Sequence, residues 1–241
     1  MEINSVTVVL TSCGRTDLLE KTLDSFFKFN TYPIERFIIT EDSAQKEVFD
    51  ACIELNKKYD NSIEFMFNEN KLGQSKSIDK AYSTVTTKYV FHCEEDWEFY
   101  RGGFIEDSIR ILSASEKILQ AWIRPKNDRI LNKISEKVFE LNRMKIRAVL
   151  PASFSTGDMN EDGTPMIVKN YMGFSWNPGL KRISDYRLLD NGYTGMIREH
   201  LVDHWYRDQG FIVVSLSVND DDGYVKHIGW DRRAGDPGFV G

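Results

Sequence analysis

The chain has 241 residues, 41% hydrophobic and 28% charged, with a formal net charge of −6. That size and composition suit one large domain with a substantial core, and the negative balance argues against a nucleic-acid partner. No apolar run approaches the ~20 residues of a membrane span and no signal-peptide pattern opens the chain, so a cytoplasmic protein is expected, with peripheral membrane contact left open. Cys13, Cys52 and Cys93, far apart and odd in number, read as small core residues.

Val6 to Leu10 is a β-branched apolar run, followed by the loop Thr11-Ser12-Cys13-Gly14-Arg15. Thr16 or Asp17 can cap a helix whose Leu19, Leu23, Phe26 and Phe27 recur at helical spacing. Arg36 to Thr40 gives a second strand, ending in Glu41-Asp42-Ser43. Val48, Cys52, Leu55 and Tyr59 mark one face of a second helix. Ile63 to Phe67 is a third strand, ahead of Asn68-Glu69-Asn70-Lys71-Leu72-Gly73. Ile78, Ala81, Tyr82 and Val85 mark a third helix, and Tyr89 to His92 a fourth strand. Such alternation predicts right-handed crossovers and a mostly parallel central sheet flanked by helices, an α/β Rossmann-like fold.

Beyond Trp97 the pattern loosens. Ile105, Ile109 and Leu112 suggest a helix and Leu119 to Arg124 a strand, while residues 125 to 170 carry charge and turn formers without an assignable pattern. Tyr171 to Trp176 reads as a strand, Gly195 to Gln209 as a helix, and Phe211 to Leu216 as a strand. The tail from Asn219 reads as loop.

The fourth strand runs into Glu94-Glu95-Asp96-Trp97. Clustered anions at the end of a buried strand repel and lose hydration unless they meet a cation. Hard oxygen ligands there suit magnesium, manganese or calcium, and strand C-termini are where open α/β sheets bind ligands. Asp96 is the candidate direct metal ligand, with Glu94 a candidate for ribose hydroxyls or a metal-bound water. Glu41 and Asp42 should reach the same sheet edge, where they would accept hydrogen bonds from a ribose or base or else cap the next helix. Arg15 would meet a base or pyrophosphate, or lie on the surface. His227, followed by Gly229, Arg232 and Arg233, would complete a metal shell with cations nearby for phosphate, or be a structural histidine. His200 and His204, one turn apart around Asp203, resemble a zinc pair poorly, with no third ligand evident. Glu199, near a helix start, is either a base toward a substrate hydroxyl or an exposed helical glutamate.

In order, these elements resemble the GT-A-fold glycosyltransferases, especially the inverting family-two type. Val6 to Arg15 with Leu18 to Ser25 is similar to that family's opening strand, loop and helix. Ile38 to Ser43 is similar to its acidic nucleotide-binding strand end, Asn70-Lys71-Leu72-Gly73 to its Asn-x-Gly segment, and Glu94-Glu95-Asp96 to its metal-binding Asp-x-Asp. Arg198-Glu199 falls where the family shows Glu-Asp, which places Glu199 on the catalytic base, and His227 resembles the C-terminal metal histidine. Ser77-Ile78-Asp79 replaces the family's Ala-Arg-Asn, so a diphosphate-facing arginine is missing there.

The resemblance implies a single GT-A domain over residues 1–241, with a nucleotide-sugar half (1–100) and an acceptor half (101–241). It implies a hexosyl- or N-acetylhexosaminyltransferase using manganese or magnesium and a nucleotide-sugar donor, UDP-linked, to glycosylate a glycan, lipid-linked or protein acceptor with inversion. Donor contacts would come from Thr11, Arg15, Glu41, Asp42, Gly73, Glu94, Glu95, Arg232 and Arg233, and the metal would sit on Asp96 and His227. Lys226 would also close over the diphosphate, and Trp97, Phe174 and Trp176 would offer aromatic faces to the acceptor. The alternatives are a sugar nucleotidyltransferase and a non-catalytic nucleotide-sugar or glycan-binding protein.

Overall fold

The computed structural model describes residues 5–128, 132–159, 163–196 and 198–230. The first half contains β1 (Val6–Ser12), α1 (Thr16–Phe29), β2 (Arg36–Glu41), α2 (Lys46–Lys57), β3 (Ile63–Phe67), α3 (Gln74–Tyr82) and β4 (Tyr89–Glu94). β5 (Trp97–Phe99), α4 (Phe104–Leu112), β6 (Ile118–Trp122), β7 (Ile134–Leu141), β8 (Met144–Val149), β9 (Ala152–Met159) and β10 (Pro165–Tyr171) come next. The chain continues with β11 (Gly179–Arg182), α5 (Ile183–Tyr186), α6 (Glu199–Asp208), β12 (Ile212–Ser215) and β13 (Val225–His227).

The main sheet has the order β11-β4-β1-β2-β3. β1 to β4 run parallel, and β11 closes one edge antiparallel to β4. All seven residues of β1 are buried, because a central parallel strand has helices on both faces and therefore reads as one apolar run. Order reverses at β1: the chain steps outward to β2 and β3, then α3 carries it back to β4 on the other side. Register sets Thr11 beside both Thr40 and Glu94, so the C-terminal ends of β1, β2 and β4 meet at this switch point. Ligand crevices in open α/β sheets form there.

Residues 125–170, unassigned from sequence, hold much of a second sheet and a separate ribbon. β6-β12-β8-β7 form a four-stranded sheet, and β9 and β10 pair as a hairpin. The β7–β8 turn places Asn142 and Arg143 at φ 48° and 61°, the primed geometry that suits a two-residue hairpin. β7 is largely exposed, which explains why no alternating apolar pattern announced it.

Several boundaries differ from expectation, among them α6, which begins at Glu199 rather than Gly195. α1 starts at Thr16 with Arg15 in the capping position and no side-chain capping bond. Tyr171 ends a strand rather than beginning one; residues 172–175 are irregular, held by Asp203 as described below. The tail contains β13, a three-residue strand formed by pairing with β5.

Candidate active site

The β5–β13 ribbon decides the centre of the site. His227 lies opposite Trp97 in the ladder, and Ile228 N donates to Asp96 O at 2.8 Å. This brings His227 Nε2 to 3.2 Å from Asp96 Oδ2. Gly229 permits the approach, since a Cβ there would stand 2.6 Å from Asp96 Oδ2. Burial works to raise the Asp96 pKa, but His227 and Arg15 outweigh it and hold the carboxyl below its ordinary value.

Asp96 Oδ1 and His227 Nδ1 are both buried without a hydrogen-bond partner. Buried polar atoms are rarely left so, and an unmet carboxylate oxygen beside an imidazole fits a divalent cation. Among the described residues no three His, Cys, Asp or Glu side chains converge on one point. A metal on this pair would therefore take its remaining ligands from substrate or water.

Two clefts flank the pair. One, about 250 Å³, lies over the ends of β1 and β4 and is lined by Thr11, Arg15, Asp42, Lys71, Gly73 and Glu94, among others. The other, about 270 Å³, includes Trp97, Arg124, Tyr171, Glu199, His227 and Trp230 in its wall. Glu94 stands between them. It lines the first and accepts hydrogen bonds from Gln74 Nε2 (2.8 Å) and Trp97 Nε1 (3.3 Å). With its amide turned to satisfy its neighbours, Asn177 of the second cleft donates to Glu94 Oε2 at 3.0 Å. Burial first, then the charges of Asp96, Glu95 and Glu199, push the Glu94 carboxyl up to about 8.

Several carboxylates expected to face a ligand instead build the walls. Glu41 has no exposed surface, and its Oε1 accepts the Gly14 and Ser43 amides at 3.0 and 2.8 Å. It therefore shapes the β1–α1 loop through Oε1, while its Oε2 is buried without a partner. Asp42 neither caps α2 nor stands free: it accepts Leu72 N (2.7 Å), Gly73 N (2.8 Å) and Asn68 Nδ2 (2.9 Å). Those bonds fix the loop that closes the first cleft, with Gly73 at φ 86° opening α3.

Glu95 is likewise turned inward. Its Oε1 accepts Cys13 N at 3.1 Å and Arg15 Nε at 2.9 Å. Arg15 also reaches Asp96 Oδ2 at 2.9 Å, so it bridges two acids rather than standing free for pyrophosphate. Burial would lower the Arg15 pKa, but the two carboxylates outweigh it and raise it. Lys226 points away to Glu98, 2.9 Å distant. Arg232 and Arg233 lie outside the described residues.

Glu199 opens α6, and its Oε1 accepts the Trp176 amide at 2.7 Å. Burial raises its pKa, opposed by that bond, by Ser175, and by the cations Arg124 and Lys181. Of the aromatic residues expected to meet an acceptor, Trp97 backs the cleft wall at 2% exposure, packed edge-on to His227, and presents little of its ring. Phe174 is fully buried against Trp176, Tyr193 and Tyr206 and has no face to offer an acceptor. Trp176 is 8% exposed and anchors Glu199 through its backbone.

Asp203 accepts the amides of Met172, Gly173 and Phe174 at 2.8, 2.9 and 2.8 Å from a fully buried position. This corrects any zinc reading of His200-Leu-Val-Asp203-His204, for its acid is consumed by the loop and His204 Nε2 lies 3.0 Å from Lys169 O. Asp79, in place of the family's expected arginine segment, is a similar clamp. It accepts Tyr193 N (2.9 Å), Thr194 N (2.7 Å) and Tyr186 Oη (2.9 Å). Arg124 and Lys181, buried cations near Glu199, were invisible in sequence because no motif carries them.

A Rossmann-like parallel sheet with an acid-bearing switch point and an appended second half defines a GT-A fold. A family model described as glycosyl transferase family 2 matches residues 7–159, and the chain belongs to that family. A comparison with curated protein sequences finds no match.

Among solved structures, Staphylococcus aureus TarS 1–349 in complex with UDP-GlcNAc is similar at a TM-score of 0.60 and 11% identity, over 98% of this chain and 62% of that one. The same protein with UDP gives 0.57 and 11%, over 92% and 59%. The 4-diphosphocytidyl-2C-methyl-D-erythritol synthase of Anaerococcus prevotii gives 0.53 and 14%, over 88% and 87%. At these identities the likeness is one of fold. The chain spans about 60% of the TarS chain it resembles. No described helix is long and apolar enough to cross a membrane.

Proposed function

We propose that this protein is a metal-dependent glycosyltransferase that moves a sugar from a nucleoside-diphosphate donor to an acceptor hydroxyl with inversion. The carrying observation is the pairing of Asp96 with His227 between two clefts, one at the switch point and one containing Glu199. The donor would lie in the first cleft, its nucleoside against Thr11 and the loop that Asp42 orders. Asp96 and His227 would hold manganese or magnesium. When bound, that ion supplies positive charge to a leaving diphosphate.

Glu94, in the partition, would accept a hydrogen bond from the donor's ribose or sugar hydroxyls. Glu199 would take the acceptor's proton from the opposite side, the arrangement that inverts the anomeric centre in one step. The backbone bond from Trp176 fixes this carboxylate's orientation, so its position does not depend on substrate. Trp230, half exposed at the acceptor cleft, gives it an aromatic face suited to a sugar ring, whether glycan, lipid-linked or protein-borne. TarS, whose structures contain UDP and UDP-GlcNAc, directs the first donor trial to UDP-linked N-acetylhexosamine.

The test is product analysis of the chain incubated with UDP- and GDP-sugars, with and without manganese. Manganese-dependent release of nucleoside diphosphate supports the proposal. Pyrophosphate released from a nucleoside triphosphate and a sugar phosphate offered in a parallel incubation would assign a nucleotidyltransferase instead, and donor binding with no release, with or without candidate acceptors, a binding protein.

A further inference from the structure

Lys181 sits where a lysine is hard to justify by packing. β11 is antiparallel to β4 with Lys181 opposite Val90, which puts its side chain on the face that carries Val90, His92 and Glu94. The residue is 3% exposed, and Nζ has no hydrogen-bond partner. Its ammonium lies 5.8 Å from the centroid of the buried Phe174 ring. Lysine is almost never buried without a partner, and an apolar side chain here would simply extend the surrounding core. Positions that break a packing rule in this way tend to serve a site.

The surroundings show which site. Phe174, over which the ammonium lies, packs on Trp176, whose amide binds Glu199 Oε1. The charges that act on Lys181 are Glu199 of α6, then Glu94 and Cys93 of β4, with His92 sensing the lysine in turn. Around Glu199 itself stand Arg124 after β6, Tyr171 at the end of β10 and Glu94 of β4. Arg124 belongs to the wall of the acceptor cleft, where substrate would touch it, whereas Lys181 lines neither cleft. Glu199 thus has one buried cation at the cleft surface and a second in the core.

We infer that Lys181 is a positioning residue acting through Glu199: a buried counter-charge in the core that keeps this carboxylate ionised in a desolvated pocket. The catalytic meaning of this rests on Glu199 being the base proposed above, but the charge coupling does not. Burial without the counter-charge favours the neutral acid, which accepts no proton. The lysine's own charge is the cost of the arrangement: burial lowers its pKa to about 7, so it is protonated over the acidic range in which Glu199 would otherwise be lost as a base.

The experiment is a carboxyl-carbon NMR titration of glutamate-labelled protein, with the Glu199 signal assigned by its loss in Glu199→Gln. In Lys181→Met the Glu199 midpoint should rise measurably, as for loss of an opposite charge acting on a desolvated carboxylate. In Lys181→Arg it should stay near the wild-type value. Lys181→Met should also melt at a higher temperature, because a buried charge has been removed. If that variant fails to fold, Lys181→Gln serves with the same readouts.

An unmoved Glu199 midpoint in the uncharged variant overturns the inference, whatever happens to turnover. A moved midpoint, with the acidic limb of manganese-dependent UDP-GlcNAc turnover moving alongside it, supports both inference and base. A moved midpoint with an unaltered turnover profile supports the counter-charge and removes Glu199 from the base role.

Discussion

His227 Nε2 and Asp96 Oδ2 approach to 3.2 Å because β13 pairs with β5 immediately beyond the carboxylate, with His227 directly across from Trp97. A three-residue ladder thereby fixes the spacing of the two side chains proposed to hold a metal. Each keeps one buried polar atom without a partner. Replacing Asp96 by Asn or His227 by Ala should abolish the thermal stabilisation that manganese and UDP give together. Turnover should fall by roughly 10³-fold, since metal charge is worth several kcal/mol in such a transition state. Retained metal-dependent stabilisation in both variants would remove the site from this pair.

Glu199→Gln keeps the bond from the Trp176 amide, which the amide oxygen can still accept, but removes the proton acceptor. Turnover should drop by about 10²- to 10⁴-fold, the usual contribution of general base catalysis, with donor affinity within about twofold of wild type. Steady-state kinetics paired with calorimetry of donor binding separates the two. An equal loss in both would make Glu199 a structural residue.

Arg15 should matter more to stability than to donor contact. Its guanidinium bridges Glu95 and Asp96 from a site where all three side chains are at most 10% exposed. Arg15→Met leaves buried Glu95 without its cation and Asp96 with His227 alone, and breaking a buried pair typically costs about 3–5 kcal/mol. Urea denaturation would measure it, and a loss under 1 kcal/mol would show that the pair is hydrated in solution.

His92 supplies a pH test. The ring is fully buried with both nitrogens unpartnered, packed edge-on to Tyr82 at 5.8 Å. Burial, then the charge of Lys181, lowers its pKa well below 6.5. The unfolded chain therefore binds a proton below pH 6.5 that the folded one refuses, and stability falls as pH drops through that value, by up to about 1.4 kcal/mol per pH unit. His92→Leu should lack this component. Parallel stability–pH slopes for the two proteins between pH 6.5 and 5 would contradict it.

Some of this was decided by local sequence. Continuous apolar runs at Val6 to Leu10 and Tyr89 to His92 with helical spacing between them specify a parallel sheet, because only a strand covered on both faces needs no polar alternation. The acidic ends of β2 and β4 follow from the same reading, whereas the expectation that Asp96 and His227 share a metal comes from the family resemblance.

Folding alone decided what each charge does. Glu41, Asp42 and Glu95 share a sheet edge with Glu94 and Asp96, yet Glu41 Oε1, both Asp42 oxygens and Glu95 Oε1 accept from backbone amides, Asn68 or Arg15. Residue type and position along the strand are the same in kind; the difference lies in partners tens of residues away. The second sheet stayed hidden because β7 is a mostly exposed strand with little core pattern to read, and β13 exists only through its partner. The burial of Lys181 is set by β11 lying against β4. Electrostatic roles depend on distance and dielectric, and both are properties of the folded chain rather than of its order.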